Sequence, residues 1–481
     1  MLNAHHPFSL VLFGASGHLA RIKIFPALYY LALKQRFPEQ FSVVGYARTA
    51  LTDAQFRDIV TTSIRQYVPE VNDKILASLL KHMSYVSGQY DKVEDFKKLA
   101  KHLDALEGSA KDLVRLAYLS IPPSAFPATL DNLCRGGVHE KGKSFRCILE
   151  KPVGSDSKTF EVIRTQLQHC FTEDEVYILD HYLGKEAVRN AYFLRHANPV
   201  IERLLKNTLI SHVQITASET AGLEGRAGYF DAVGTLRDMF QSHLIQIAAL
   251  LTMRLTAEIG ALKSVRLDAV KKFYLPPAAD LSEIVMQGQY GAGMVEGKTV
   301  GAYADEEGVA SSSRTSTFAA LKLMSRSSRW EGVPFFLRSG KRMKEKQTKI
   351  AIEFNESATL LGKNEARNRL EIILQGEAGM KLYLQTKLGG SEPKFRSLLM
   401  EDPLVCMGDC LVEHSLLLLE AINGNQQWFL DPEEVRTCWA LIDPLQRYLD
   451  HSETPLAIYP SGSTGPTEAD AFIGRQGHTW F

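Results

Sequence analysis

The chain has 481 residues, of which 45% are hydrophobic, and its 55 acidic residues balance its 55 basic residues. This length predicts two or three domains with ample core, and the balanced charge gives no reason to expect a nucleic-acid or membrane-surface partner. The sequence contains no apolar stretch of about 18 residues, and its start, MLNAHHPFSL, lacks the features of a signal peptide. We therefore expect a cytoplasmic enzyme that does not enter a membrane.

The cysteines are scattered and form no CxxC pair, so they predict reduced thiols and no metal site. They are Cys134, Cys147, Cys170, Cys406, Cys410 and Cys438.

The first element is an apolar run over residues 8–13, FSLVLF, which is typical of a buried strand. A small-residue turn follows, and then a predicted helix over 19–36. This order presents backbone N–H groups and a helix N-terminus to a pyrophosphate. The spacing is GxxGxxA rather than GxGxxG, and a plain tight turn is the alternative. The candidate cofactor-binding residues here are Gly14, Ala15, Ser16, Gly17, His18, Leu19, Ala20 and Arg21.

A second strand is predicted over residues 41–46 and leads to Arg48, whose charge favours the 2′-phosphate of NADP over the ribose of NAD. Thr52 or Asp53 caps the next helix. Further strands over 113–121 and 145–149 complete an alternation of strands and helices, which predicts a Rossmann-like, doubly wound parallel sheet. Lys151 follows the last of these strands, so it lies either on the ligand edge or on the surface as an ordinary cation.

Four reactive side chains follow a short strand at 176–179. They are Asp180, His181, Tyr182 and Lys185, and a strand-to-helix corner is the usual place for ligands in an open α/β sheet. If a helix starts directly after Asp180, His181 and Lys185 share one face. The corner is our candidate active site; the alternatives are an N-cap role for Asp180 and a surface role for Lys185.

The second half contains strand patterns over 210–216, 315–324, 349–354, 370–374 and 380–387, which favour a mostly antiparallel sheet. We predict an NADP-binding Rossmann-like domain over 1–180 and an α+β domain for substrate binding and oligomerisation over 181–481. Residues 234–253 predict one largely buried helix. Asp238 and His243 would be about 140° apart on a regular helix, so they need not face the same ligand atom. From this segment alone, His243 is more readily interpreted as a satisfied core residue than as a catalytic one.

Several ordered motifs carry a family resemblance. They are GASGHLARIKIFPALY, YLSIPP, EKPVGSD, DHYLGKE, QITASETAGLEGRAGYFD, LRDMFQSHLIQ, FLRSGKRMKEK, ILQGEAG, IDPLQRYL and GSTGPTEAD. Over nearly its whole length the chain resembles the glucose-6-phosphate dehydrogenase family. The resemblance implies oxidation of β-D-glucose 6-phosphate at C1 to the 6-phosphogluconolactone with reduction of NADP, the first step of the oxidative pentose phosphate pathway.

The resemblance also implies roles for individual residues. His243 matches the general base and Asp180 matches the carboxylate that orients it, a pairing that suits an imidazole titrating near neutral pH. The residues implied to bind the sugar phosphate or line its pocket are Lys151, His181, Tyr182, Lys185, Glu219, Asp238, Lys341, Lys346 and Gln375. The implied cofactor contacts are residues 14–21, Arg48, Tyr118 and Lys151. A homodimer or homotetramer, formed through the large sheet, is implied in the same way.

The fingerprint departs from the family pattern at three positions. His18 replaces the usual Asp, Arg21 replaces a Lys, and Ile22 replaces a basic residue. These changes leave open the preference between NADP and NAD, with NAD as the weaker alternative. A second, structural NADP site is also left open.

Two other functions remain as alternatives. A different NAD(P)-dependent sugar oxidoreductase also joins a dinucleotide fold to an antiparallel sheet, but a neutral sugar would not require His181, Lys185 and Lys341. A catalytically idle NADP-binding protein would not require Asp180 and His243.

Overall fold

The computed structural model describes residues 3–108, 112–140, 142–225, 227–355, 367–392, 394–404 and 408–481. The strands are β1 (Phe8–Phe13), β2 (Phe41–Ala47), β3 (Met83–Ser87), β4 (Val114–Leu119), β5 (Phe145–Glu150), β6 (Val176–Leu179), β7 (Ile210–Ser218), β8 (Phe273–Tyr274), β9 (Val285–Gly291), β10 (Gly293–Val295), β11 (Lys298–Val300), β12 (Phe318–Ser325), β13 (Phe335–Gly340), β14 (Gln347–Phe354), β15 (Arg369–Gln375), β16 (Gly379–Lys387), β17 (Phe395–Pro403) and β18 (Ala457–Pro460).

The α-helices are α1 (Phe25–Leu33), α2 (Asp53–Tyr67), α3 (Asp73–Lys81), α4 (Val93–Glu107), α5 (Phe126–Arg135), α6 (Ser157–Cys170), α7 (Glu186–Ala197), α8 (Pro199–Leu204), α9 (Ala227–Thr235), α10 (Ile245–Thr252), α11 (Leu262–Lys272), α12 (Glu413–Ile422), α13 (Pro432–His451) and α14 (Thr467–Gly474). Two π-helices, Ala20–Ile24 and Leu236–Leu244, precede α1 and α10 within these described ranges.

The chain forms two compact units. The first contains Met1–Lys185, Ile259–Lys263 and Gly408–Arg436; the second contains Glu186–Glu258, Ser264–Met407 and Thr437–Phe481. The first unit therefore includes α12, which lies near the end of the sequence. The predicted division after residue 180 stays a prediction.

The first unit is built on a parallel sheet, as predicted. Among the described residues it has six strands in the order β3-β2-β1-β4-β5-β6, which is the order of a doubly wound dinucleotide fold. Its central strands β1 and β4 are buried along their whole length, because helices cover both faces of such a sheet. The sequence patterns located β1, β2, β4, β5 and β6 but missed β3.

The second unit contains the mostly antiparallel sheet that was predicted. Within the described part of the chain the strand order is β17-β16-β15-β14-β7-β13-β12-β9-β18, with β8 paired to β12. The pairs β7–β13 and β9–β18 are parallel. The parallel pair β7–β13 matters for function because it brings two C-terminal strand ends to one edge.

Two helix predictions need correction. The predicted helix over 19–36 contains the π-helix Ala20–Ile24 and ends at Leu33. The single helix predicted over 234–253 is wrong at its start, because Gly234 has a φ of 69° and breaks the helix there. Residues Leu236–Leu244 form a π-helix before α10 begins.

The expectation of six reduced cysteines is wrong at Cys410, which is disulfide-bonded. Cys134, Cys147, Cys170 and Cys438 are free thiols, and Cys406 lies outside the described residues. None of the helices in the described ranges has the length and hydrophobicity needed to cross a membrane.

Candidate active site

The glycine turn after β1 has the shape of a phosphate cradle. Gly14 has a φ of 80°, and an added Cβ would lie 2.1 Å from the carbonyl oxygen of Ser120. The Gly14 N–H donates to the carbonyl oxygen of Tyr46 at 2.8 Å, which holds the turn against β2. No side chain caps the π-helix that follows, and its first residue, Ala20, is fully buried. The turn and helix start therefore fit a dinucleotide pyrophosphate.

The end of β2 supplies groups suited to the ribose side of a dinucleotide. Arg48 and Thr49 are exposed there, and the hydroxyls of Ser16 and Thr49 are 3.5 Å apart. The Arg48 guanidinium lies 5.9 Å from the centre of the Tyr90 ring. Burial raises the pKa of the Tyr90 hydroxyl, although Arg48 partly opposes that shift. One cation and two hydroxyls thus lie at the end of β2 and the glycine turn, and of these three residues the sequence indicated only Arg48 and Ser16.

The corner after β6 differs from the predicted helix start. Asp180 is fully buried, and its Oδ1 accepts a hydrogen bond from the Tyr182 N–H at 2.9 Å, so it does cap the turn. Residues His181–Gly184 form one turn of 3₁₀ helix, and Lys185 is extended before α7 begins. His181 and Lys185 therefore do not share an α-helical face. The Lys185 Nζ lies 3.8 Å from the centre of the Tyr182 ring.

In the second unit, four predicted site residues lie at one edge of the large sheet. Glu219 follows β7 and Lys341 follows the parallel strand β13, and Lys341 Nζ donates to Glu219 Oε2 at 2.5 Å. Lys346 precedes β14, whose first residues pair with the end of β7, and the Thr348 hydroxyl donates to Gln375 Oε1 at 3.3 Å. Lys341 is buried, with its Nζ 5.0 Å from the centre of the Phe230 ring. The edge offers cations, a carboxylate and an amide together.

The remaining two predicted residues of this unit lie on the π-helix Leu236–Leu244, which packs against β13. The expectation that Asp238 and His243 point in different directions assumed an α-helix. A π-helix joins residue i to i+5, so residues five apart lie slightly more than one turn apart, on a common side. His243 is buried, with 6% of its surface exposed.

Lys151 follows Glu150, the last residue of β5, at the C-terminal edge of the parallel sheet. The Tyr118 side chain is buried, and its hydroxyl donates to Glu150 Oε2 at 2.7 Å. Next to it the Ser120 hydroxyl is buried and has no hydrogen-bond partner among the described residues. Polar groups thus line the sheet edge between the glycine turn and Lys151.

Comparison with known proteins covers both halves of the chain. Residues 11–190 match the model of the glucose-6-phosphate dehydrogenase NAD-binding domain, and residues 192–481 match that of the C-terminal domain of the same enzyme. The chain belongs to the glucose-6-phosphate dehydrogenase family. The glucose-6-phosphate 1-dehydrogenases of Schizosaccharomyces pombe and Bacillus subtilis are 36% and 34% identical to it; each match covers 98% of this chain, and 94% and 98% of the respective relative.

A solved glucose-6-phosphate dehydrogenase in complex with its substrate glucose 6-phosphate has the same fold. It superimposes with a TM-score of 0.90 at 29% identity, and the match covers 100% of both chains. The enzyme from Mycobacterium avium gives a TM-score of 0.85 at 28% identity, over 99% of this chain and 98% of the other. The predicted family and fold class are therefore confirmed.

In this member of the glucose-6-phosphate dehydrogenase family, one group of described residues has the composition of a metal site. Ligand atoms of His212, Glu353 and His478 lie within 4.8 Å of one another. However, the Gln214 amide nitrogen faces His212 Nε2 at 2.9 Å and donates to Thr479, so Nε2 accepts and Nδ1 carries the proton. That Nδ1 lies 3.4 Å from a Glu353 carboxylate oxygen.

A metal at Nδ1 would have to replace the proton that already interacts with the carboxylate. The group fits a hydrogen-bonded pair better than a metal site, and the expectation of no metal stays a prediction.

Proposed function

We propose that this chain oxidises β-D-glucose 6-phosphate at C1 to 6-phosphoglucono-1,5-lactone and reduces NADP, as the first step of the oxidative pentose phosphate pathway. The observation that carries the proposal is the match of both halves of the chain, over residues 11–190 and 192–481, to one enzyme family. The solved relative named as a complex with glucose 6-phosphate supports the choice of substrate.

We assign the phosphate of the substrate to the cationic groups in each unit. They are His181 and Lys185 in the first unit and Lys341 and Lys346 in the second, with Tyr182 beside Lys185. Charge-assisted contacts to phosphate are stronger than neutral ones, so several cations give a phosphorylated sugar a large advantage over a neutral sugar. Glu219, Asp238 and Gln375 are acceptors for the sugar hydroxyls, and Lys341 Nζ holds the Glu219 side chain in place through their 2.5 Å contact.

We assign the proton transfer to His243. As a neutral imidazole it removes the proton of the C1 hydroxyl, and Asp180 orients it and stabilises the imidazolium that forms. Asp180 suits this role because its carboxylate is fully buried and already fixed by the Tyr182 N–H. Residues 14–21 and Arg48 would hold the nicotinamide cofactor, which would supply the hydride acceptor.

We assign the pyrophosphate of the cofactor to the turn and helix start at residues 14–21. Arg48, with Ser16 and Thr49, binds the 2′-phosphate, and NAD is the weaker alternative because it lacks that group. Lys151 lies at the edge where sugar and nicotinamide meet, and Tyr118 supports that edge through its hydrogen bond to Glu150.

The edge of the large sheet supports a proposal for assembly. Leu398, Leu399 and Met400 on β17 are 39%, 45% and 55% exposed, and contiguous exposed apolar side chains mark interaction surfaces. We propose that β16 and β17 form the contact of a homodimer or homotetramer. We also propose a cytoplasmic location.

The experiment that tests the proposed reaction is a pairing of substrates and cofactors. Purified chain is mixed with glucose 6-phosphate or glucose, and with NADP or NAD, and absorbance of the reduced cofactor is followed. The proposal predicts the highest kcat/KM for glucose 6-phosphate with NADP and little reaction with glucose. Equal rates with both sugars, or no reaction with glucose 6-phosphate, would contradict it.

A further inference from the structure

A carboxylate with little solvent exposure, that of Glu150, lies at the end of β5 in the first unit. Both oxygens of Glu150 are occupied, since Oε2 accepts from the Tyr118 hydroxyl at 2.7 Å and Oε1 lies 3.4 Å from His414 Nε2. His414 and Glu150 are only 5% and 12% exposed. Because a carboxylate only accepts hydrogen bonds, Nε2 of His414 must carry the proton and donate it.

His414 comes from α12, which packs against the 3₁₀ turn His181–Gly184. The approach is close, because a Cβ on Gly184 would lie 2.5 Å from the Glu413 carbonyl oxygen. The rings of His414 and His181 are nearly parallel, at an angle of 14° with centroids 6.1 Å apart, within the range of ring stacking. His414 therefore supports His181 directly. It also contacts Glu150, the residue immediately before Lys151, and both His181 and Lys151 are candidate site residues.

A second carboxylate, that of Glu413, lies near the Nδ1 side of the His414 ring. Glu413 Oε1 lies 3.3 Å from Lys23 Nζ and 4.0 Å from His414 Nδ1. Burial acts to raise the pKa of Glu413, but Lys23, His414, a backbone hydrogen bond and Lys185 together outweigh it, so that the pKa is lowered and Glu413 is an anion. The His414 ring is thus held between two carboxylates, and rotation away from Glu150 would leave a buried charge with one donor fewer.

We propose that His414 is a positioning residue for glucose 6-phosphate, which acts by donating to Glu150 and by supporting the His181 ring. The donated hydrogen bond fixes the end of β5 and hence the start of Lys151, while the ring limits the movement of His181. The inference rests on the proposed function, in which Lys151 and His181 contact the sugar phosphate. In this proposal His414 acts through Glu150 and His181, so its loss should weaken substrate binding more than the chemical step.

Two matched substitutions test the role of Nε2. In His414→Gln the amide nitrogen reaches the position of Nε2, whereas the shorter side chain in His414→Asn reaches only the position of Nδ1. Hydrogen bonds to buried charges are strong, so we expect H414N to raise the dissociation constant and the KM of glucose 6-phosphate roughly tenfold, with kcat within about threefold. H414Q keeps the donor to Glu150 but lacks the ring that supports His181, so it should recover most of the loss and leave both constants within about threefold of the wild type.

The dissociation constant is measured by calorimetry with glucose 6-phosphate alone, and KM and kcat by NADP reduction. Equal losses in H414N and H414Q, or no loss in either, would overturn the proposal. Glu150→Gln removes the carboxylate charge at constant size and should weaken binding in the same direction; an unchanged dissociation constant in E150Q overturns the proposal even if H414N does not fold. A wild-type chain that neither binds nor oxidises glucose 6-phosphate would instead refute the proposed function.

Discussion

Gly14 shows how one residue fixes the geometry of the cofactor turn. Its φ of 80° is unfavourable for any residue with a Cβ, and the added atom would lie 2.1 Å from a backbone oxygen that cannot move without β4. We expect Gly14→Ala to destabilise the chain by about 2 to 4 kcal/mol and to abolish nucleotide binding. Thermal unfolding and a nucleotide titration measure both effects.

The matched control is Gly228→Ala on α9, where an added Cβ meets no atom within 4 Å. This variant should keep wild-type stability and nucleotide affinity. Equal behaviour of the two variants would show that the turn does not require glycine.

Arg48 is the residue on which the proposed preference for NADP depends. Its guanidinium charge matches a phosphate that NAD lacks, so we expect Arg48→Ala to weaken NADP by roughly 10- to 100-fold and to leave NAD almost unchanged. Calorimetric titration with each nucleotide measures the difference. Arg65→Ala, which removes a surface arginine paired with Asp73, is the control; an equal loss of NAD affinity in R48A would refute the assignment.

At the scale of single elements, the C-terminal segment is attached to the large sheet through His212. The ring centroids of His212 and His478 are 4.0 Å apart, and Gln214 binds the backbone of Thr479 and Phe481. Burial, with the nearby His478 and Arg367, lowers the pKa of His212 to about 3. The neutral ring is therefore the form that the folded chain accommodates.

This shift predicts a loss of stability in acid. An unfolded histidine has a pKa of about 6.5, so it binds a proton below that pH. Folded His212 binds a proton only at about pH 3. Between these limits the residue lowers the free energy of unfolding by up to about 1.4 kcal/mol per pH unit as the pH falls. His212→Gln, which stays neutral, should remove about 2 kcal/mol of the stability difference between pH 7.5 and pH 5.

Urea unfolding at the two pH values measures this difference. The same loss of stability in wild type and H212Q would mean that His212 does not bind fewer protons when folded.

The strands that were predicted correctly from the sequence share one property. Each contains a run of apolar or alternating residues that is long enough to be recognised as a strand. β1, β2, β4, β5 and β6 are such runs, whereas β3 reads MSYVS and carries a weak pattern. The π-helix Leu236–Leu244 was missed because its apolar residues suit an α-helix equally well. Whether Asp238 and His243 lie on the same side of the helix therefore depends on the backbone hydrogen-bond pattern, which the composition does not encode.

Sequence patterns also indicated only part of the candidate site. Strand ends followed by reactive residues identified Asp180 and Lys151, because parallel strands place such residues at one edge. No sequence signal joins Glu150 to His414, which are 264 positions apart. Their contact exists because α12 returns to the first unit from near the end of the chain.

At the scale of the whole molecule, the exposed apolar surface of β17 predicts self-association. We expect Met400→Glu to shift the chain toward monomer, because a charge at a buried contact between subunits costs several kcal/mol of desolvation. Light scattering after size exclusion measures the mass. Val200→Glu on α8, where Val200 is 67% exposed, is the control and should leave the mass unchanged; an unchanged mass in M400E would exclude β17 as the contact.

The assignment of His243 as the base is tested most directly by His243→Asn, studied with glucose 6-phosphate and NADP. A positioned base contributes a factor of roughly 10² to 10⁴ to the rate, so we predict that kcat falls at least about 10²-fold. The dissociation constant of glucose 6-phosphate should stay within about threefold of the wild type. A variant that keeps the wild-type kcat would show that another group removes the C1 proton.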